Sequence, residues 1–508
     1  MSSLEGQQLQ KRLFTEIAFL SLVVIAALLP FTQTLFHGAS ISKVDLIKNF
    51  DAVQAQSLRS PFWLSDDLSA SMAHVPNELF AAKHEGSAEL PLWNHLNGAG
   101  RPFVGEFQTL RFSILHSLFP ATSSQLYNLG ILTKILLAGI GAFILSRYVG
   151  LTRWAAFAAA VAFAFCPHSL RFVELCDNYF FYPFFLLSFL CLAAKPSMLR
   201  ASLTALLCGF GAYNMHPETF ACGTIFSAIA GLLSFIWKST ASNDASEIKA
   251  TPTNLRRLLP AVGWVGLVAV LTFLLSAPLV LTLAEFIANG ESYKFADYKI
   301  DHIQALSVFT DLFLPGTAGS SYMGIALGLS ALAGMFVWAR KNLALLFTFA
   351  VVFLFTTRPG FLDPLLATAP LSFLLPEYSS YFMFILLALA SATGLQSLVL
   401  GENLSREWRN LALSISVLSA SFMLLGNLSA SSNFVSRWLE FTPAELKFSS
   451  AFIPLSLALT LLFPISILLA RSDAKLRTIS LAVFSLANSA LLLYLAPLEL
   501  GVHESFEF

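Results

Sequence analysis

Long apolar runs separated by short polar turns make up most of the chain, with one long polar exception near its start. The apolar runs cover 13–36, 123–146, 154–167, 179–195, 200–215, 218–238, 258–286, 320–338, 342–357, 379–400, 410–428, 449–470 and 478–498. Coiled as helices, runs of about 18 or more such residues match the hydrocarbon thickness of a bilayer, which predicts an all-α, polytopic integral membrane protein with about thirteen transmembrane helices. The third and fifth runs are short. Pro30 stands where the first helix has to end, and Pro278 with Glu285 closes the seventh. The first run follows Lys11-Arg12, exceeds a signal-peptide core in length and has no small-x-small cleavage site, so it reads as a retained anchor.

The exception is the first large loop, 37–122. Its polar stretch from Ser65 to Pro120 carries the adjacent pair Asp66-Asp67, then Pro91-Leu92-Trp93-Asn94, then Asn97-Gly98-Ala99-Gly100-Arg101-Pro102, then Glu106-Phe107-Gln108. Short amphipathic helices lying on the membrane are expected around 69–84 and 106–118. Met72, Val75, Leu79 and Phe80 share one stripe. The same spacing also fits a face packed on neighbouring helices.

Composition agrees with the pattern. The 508 residues are 56% hydrophobic and 12% charged, where soluble proteins are about 25% charged, and mean hydropathy is +0.71. A formal net charge of zero gives no footing for a nucleic-acid partner. With the N-terminus in the cytoplasm, more than half of the 30 Lys and Arg residues fall in short inner turns, while the acidic residues crowd the outer loops. That bias is the positive-inside rule. It puts the first large loop and the C-terminal tail on the extracytoplasmic side, and the expected location is the cytoplasmic (inner) membrane. There is no GxxxxGK[ST], and no GxGxxG following a strand, which excludes a built-in nucleotide motor. Chemistry on the outer face then relies on an energised substrate already in the membrane. The five cysteines show no CxxC spacing and indicate no zinc site. Cys166 and Cys176 fall near one predicted loop, which leaves open a disulfide or two buried thiols.

Several chemistry-bearing residues share the expected outer face. Arg171, Glu174 and Asp177 lie between the third and fourth runs, and His216-Pro217-Glu218 turns between the fifth and sixth. Lys294, Asp297, Asp301 and Asp311 occupy a long loop, and Arg358, Asp363 and Glu377 precede the tenth run. Ionisable groups at this depth line cavities rather than face lipid. Each has a plainer alternative. Asp66-Asp67 are also readable as solvated carboxylates, His216 as the brace of a helix turn, Trp93 as an interfacial anchor, and Arg101 and Arg171 as partners of lipid phosphates. Lys134, inside the second run, requires a carboxylate, carbonyl or water partner. Glu16 lies near the inner end of the first helix, within reach of the interface.

Taken in order, these pieces resemble the YfhO-like membrane protein family of the C-type glycosyltransferase superfamily, over about residues 10–400. The resemblance is carried by the acidic residue after the first helix and by "ELPLWNHLNGAGRPFVGEFQTLRFSILHSLFP" at 89–120. It continues in "NMHPETF" at 214–220, "LLSAPLVLTLAEFIANGESYK" at 274–294, "LPGTAGSSYMGIALGLSAL" at 314–332 and "LPEYSSYFMFILLALASATGLQSL" at 375–398. Met215 stands where the family often has Gly before His-Pro, and Glu377-Tyr378-Ser379-Ser380 stands where it often has an arginine-bearing stretch.

The resemblance implies a catalytic transmembrane region at 1–400 followed by further helices at 401–508. It also implies a polyprenyl-phosphate-linked sugar as donor and an envelope glycan, lipid or protein as acceptor. Asp67 is the expected catalytic base, with Asp66 second or binding a divalent cation; the metal is unknown. Trp93, Asn94, Arg101, Glu106, Arg171, His216, Glu218, Lys294 and Arg358 are the expected substrate-binding residues. Among them Arg101, Arg171, Lys294 and Arg358 offer positive charge to the leaving phosphate. A transporter or lipid flippase is the rival reading. It calls for internal repeats or paired broken helices, and none is evident. A non-catalytic envelope-assembly scaffold is the other.

Overall fold

The structure, a computed structural model, describes residues 3–37, 77, 80, 81, 83, 93, 94, 101, 102, 117–120, 123–166, 170, 173, 178–237, 253–289, 325–366, 376–400 and 476–487. Helix α1 covers Ser3–Leu28 and passes through a 3-10 turn, Leu29–Phe31, into α2, Thr32–His37. Pro30 sits in that turn, so α1 ends where the sequence requires. Then follow α3 (Ser124–Tyr148), α4 (Arg153–Ala164), a 3-10 turn at Tyr179–Phe181 leading into α5 (Tyr182–Ala194), α6 (Met198–Asn214) and α7 (Pro217–Trp237). The order continues with α8 (Thr253–Asn289), α9 (Ile325–Lys341), α10 (Leu343–Thr357), a 3-10 turn at Gly360–Leu362, α11 (Asp363–Leu366) and α12 (Pro376–Leu400). Helix α13 is Leu476–Ala487.

By length and composition, five of these helices can cross a membrane: Gln7–Phe31, Gln125–Tyr148, Pro217–Trp237, Leu258–Glu285 and Tyr378–Leu400. The chain is an integral membrane protein built on helices. Each expected span from 13–36 to 379–400 coincides with a helix, its ends shifted by a few residues or more. The runs at 410–428 and 449–470 lie outside the described residues. One reading changes. Pro278 does not close its helix, because α8 continues through it to Asn289. The Tyr213 hydroxyl donates to the Leu275 carbonyl at 3.0 Å, one residue along from the Leu274 carbonyl that the proline leaves without its N–H. Between the two ranges expected as helices, the first loop holds a short pairing. Trp93–Asn94 (β1) and Arg101–Pro102 (β2) pair antiparallel, Trp93 opposite Pro102 and Asn94 opposite Arg101.

At the centre stand α4 and α12. Every residue of α4 from Ala155 to Ala164 is buried, as expected of a helix that is apolar all round and enclosed by protein. It lies against α1, α3 and α12. Small side chains set the closest helix contact, between α9 and α12. A Cβ on Gly394 would overlap the Ser330 carbonyl, and one on Gly334 would overlap the Ala390 carbonyl. Apolar packing against lipid gives helices no net drive to associate, so such close approach substitutes van der Waals contact. Helix α8 lies at the periphery on α6 and α7, with Leu259, Val262, Val270, Phe273, Leu274 and Leu281 turned outward.

Polar contacts at helix ends fall into two groups, or poles: one at the end of α3, the start of α4 and the ends of α5 and α12, the other at the start of α7, the end of α10 and the start of α12. One pole is basic. There Arg147 Nε and Nη2 hold Glu16 at 3.1 and 2.8 Å, and Arg153 Nε reaches the same carboxylate at 2.9 Å. Arg200 donates to the Cys191 carbonyl at 2.7 Å, closing the end of α5, and Arg477 does the same for Leu400 and α12 at 3.2 Å. Guanidinium groups on terminal carbonyls suit the negative end of a helix. Glu16 does more than reach the interface: it ties α1 to the α3–α4 corner. The substitution Glu16→Gln is expected to lower stability by about 1–2 kcal/mol, since bonds to charged groups are lost. Thermal unfolding in detergent, compared at low and high salt, checks this.

Candidate functional site

At the opposite pole lie three of the expected residues, His216, Glu218 and Arg358. Helix α6 stops at Asn214, Met215 is extended (φ −130°, ψ 154°), and Pro217 opens α7. The stop follows from sequence, because proline pushes the residue before it away from helical geometry and itself suits the first turn of the next helix. His216 lies between the two helices, and its carbonyl accepts the Phe220 N–H at 2.8 Å, starting the α7 ladder. Glu218 falls in the first turn of α7, where the helix dipole favours a carboxylate.

Around this turn the bundle closes. The His216 ring stacks on Tyr378, 5.0 Å between centroids and 15° between planes. The Tyr182 hydroxyl donates to the Thr219 carbonyl at 2.8 Å and lies 3.2 Å from the Tyr378 carbonyl. One residue beyond Tyr378, the Ser379 and Thr356 hydroxyls meet at 2.7 Å, joining the start of α12 to the end of α10. Arg358 follows at that end in a left-handed conformation (φ 40°, ψ 61°), its N–H on the Leu354 carbonyl at 3.0 Å. Such a backbone costs a side-chain-bearing residue about 1–2 kcal/mol. The three ionisable groups are inside the protein: His216 is 6% exposed, Glu218 9% and Arg358 8%. They do not face lipid. Imidazole can donate and accept near neutral pH, so the pole offers an imidazole, a carboxylate and a guanidinium.

Lys134 finds one of the partners its position requires: its Nζ donates to the Val173 carbonyl at 3.0 Å, and it is 6% exposed. In the first loop, the β1–β2 pairing sets Asn94 opposite Arg101 and Trp93 beside it. Asn94 is buried, and its Nδ2 donates to Asn77 Oδ1 at 3.2 Å. Asn77, Phe80, Ala81 and Lys83 are helical, the first three buried and Lys83 exposed. Asp66, Asp67, Glu106, Arg171 and Lys294 lie outside the described residues, as does Cys176. Cys166, Cys208 and Cys222 are buried thiols. Among the described residues no group of three His, Cys, Asp or Glu side chains could hold a metal ion.

Tyr182, Asn178 and Asn214 were given no role from sequence, and Tyr378 entered only as a departure from the family pattern. Asn178 is left-handed (φ 47°, ψ 44°), and its amide Nδ2 donates to the Asn214 carbonyl. The one available signal was Asn-Tyr-Phe-Phe-Tyr at 178–182, a polar residue leading a dense aromatic run. Tyr179 of that run stacks on Tyr381 at 5.6 Å and 3°.

No protein-family model matches the chain, and no curated protein matches it. Among solved structures, it is similar to ArnT from Cupriavidus metallidurans bound to undecaprenyl phosphate, with 13% identity, a TM-score of 0.44, and coverage of 91% of this chain and 78% of that one. The apo state of the same ArnT gives 15% identity and a TM-score of 0.46, over 90% of this chain and 78% of that one. A likeness this distant says nothing of this chain's ligands.

Proposed function

We propose that the chain is a membrane glycosyltransferase that moves a sugar from a polyprenyl-phosphate-linked donor to an envelope glycan, lipid or protein on the extracytoplasmic side. Residues 1–400 form the catalytic region in this reading, and 401–508 supply further helices. One observation carries it: the His216–Tyr378 stack packs together two of the stretches on which the family resemblance rests, 214–220 and 375–398. They meet at the pole opposite the basic one, the side that the positive-inside rule assigns to the exterior.

In the proposed step Asp67 takes the proton of an acceptor hydroxyl. The hydroxyl oxygen bonds to the anomeric carbon, and the carbon–oxygen bond to phosphate breaks with its electron pair leaving on the phosphate, so configuration inverts. Partial desolvation near the membrane boundary raises a carboxylate's basicity. Arg101, Arg171, Lys294 and Arg358 are proposed to hold the phosphate, and Trp93, Asn94, Glu106, His216 and Glu218 the sugar or its linkage. The remaining role, a divalent cation at Asp66, is compatible with the same scheme. The transporter reading drew on Lys134, whose ammonium is already engaged by a backbone carbonyl.

Membranes containing the chain, given radiolabelled polyprenyl-phosphate sugars, are expected to transfer label into an endogenous acceptor above the level of empty membranes. No transfer with any of several sugars would remove the proposal.

A further inference from the structure

We infer that Asn178 and Tyr182 are positioning residues that fix His216 from both sides. Both come from the segment that leads into α5. Asn178 holds the carbonyl of Asn214, two residues before His216. Tyr182 holds the carbonyl of Thr219, three residues after it, and lies against the carbonyl of Tyr378, whose ring covers the imidazole. The turn, its ring partner and the two clamping side chains thus form one closed polar arrangement, drawn from α5, α6, α7 and α12.

Packing alone does not ask for these polar atoms. The Tyr182 ring fills the space left by Gly223, where a Cβ would overlap it, and packs against Phe382 at 5.5 Å. A phenylalanine would fill that space equally well, so the hydroxyl is present for the two carbonyls. Asn178 is 2% exposed and adopts a left-handed backbone, and its Oδ1 is buried with no hydrogen-bond partner among the described residues. A buried amide half satisfied in a strained conformation is a net cost to folding. Such features persist where a neighbouring group has to be held in one orientation. Here that group is His216.

The clamp stands on geometry; its importance for sugar transfer rests on the function proposed above. The test uses the full chain in membranes, treated with diethyl pyrocarbonate, with modification followed at each histidine by peptide mass spectrometry. In Tyr182→Phe and in Asn178→Gly, which keeps the left-handed backbone, the rate at His216 is expected to rise about fivefold, the scale of one lost hydrogen bond. Rates at the other histidines stay as in the wild type. An unchanged rate at His216, or an equal rise at all histidines, overturns the inference; the second would make Tyr182 and Asn178 merely structural. Because labelling needs no activity, absence of transfer by the wild type would remove the functional proposal without touching this result.

Discussion

Replacing Asp67 by Asn is expected to lower sugar transfer by roughly 10²–10⁴-fold, the range contributed by a general base, while the protein still inserts in the membrane. The amide keeps the shape and hydrogen-bonding reach of the carboxylate but cannot accept the acceptor's proton. Asp66→Asn separates the roles of the adjacent pair. If Asp66 only assists or binds a cation, its loss costs less, and added divalent cation changes its activity more than it changes Asp67→Asn. The assay is label transfer in membranes holding equal amounts of each protein. Full activity in both variants would remove the pair from the mechanism and turn attention to Glu218, the acidic residue beside His216.

The largest structural effect is expected from Gly394→Val. Its Cβ would overlap the Ser330 carbonyl, and a backbone carbonyl on a packed helix has no rotamer by which to move aside. Helices α9 and α12 would have to separate along the contact that also buries Ala331 and Ala390. Overpacking usually costs about 1–3 kcal/mol, and a backbone clash falls at or above the upper end. Because α12 also packs on α4, α7 and α10, its displacement would reach the His216–Tyr378 stack. Gly263→Ala is the control. Nothing lies within 4 Å of a Cβ there, and alanine in a helix interior is favoured over glycine by about 1 kcal/mol. Yield and thermal stability in detergent are expected to collapse for Gly394→Val and to hold or improve for Gly263→Ala.

The fold was legible where one physical signal dominated. Apolar run length located the helices because backbone groups in hydrocarbon must be satisfied within the segment. Proline marked the ends at Leu28 and Asn214. It misled at Pro278: the helix runs through it, as membrane helices can where nearby groups and local adjustment satisfy the freed backbone, and no local pattern announces the Tyr213 contact on the next carbonyl, 62 residues away. The same limit explains Glu16, whose partner Arg147 is 131 residues distant. At the candidate site, His216 and Glu218 were legible because a His-Pro turn between two apolar runs is rare and local. Tyr378 was visible only as a departure, standing where arginine was anticipated, and its value is a ring face rather than a charge. The pairing of Asn94 with Arg101 was hidden for another reason. Two-residue strands are too short to show the alternation by which a strand is read.

The Glu16 knot also bears on how the protein is made. Its carboxylate emerges with the first helix, while both guanidiniums flank the turn between α3 and α4. Docking of α1 therefore waits until that hairpin has been made, after the whole of the first large loop. Synthesis beyond Ala164 then proceeds on a three-helix unit, α1, α3 and α4, that is latched on its cytoplasmic-facing side in the proposed orientation. A foreign leader helix grafted in place of α1 would insert, yet leave two arginines without their shared anion, and the defect would surface as slow assembly rather than failed targeting.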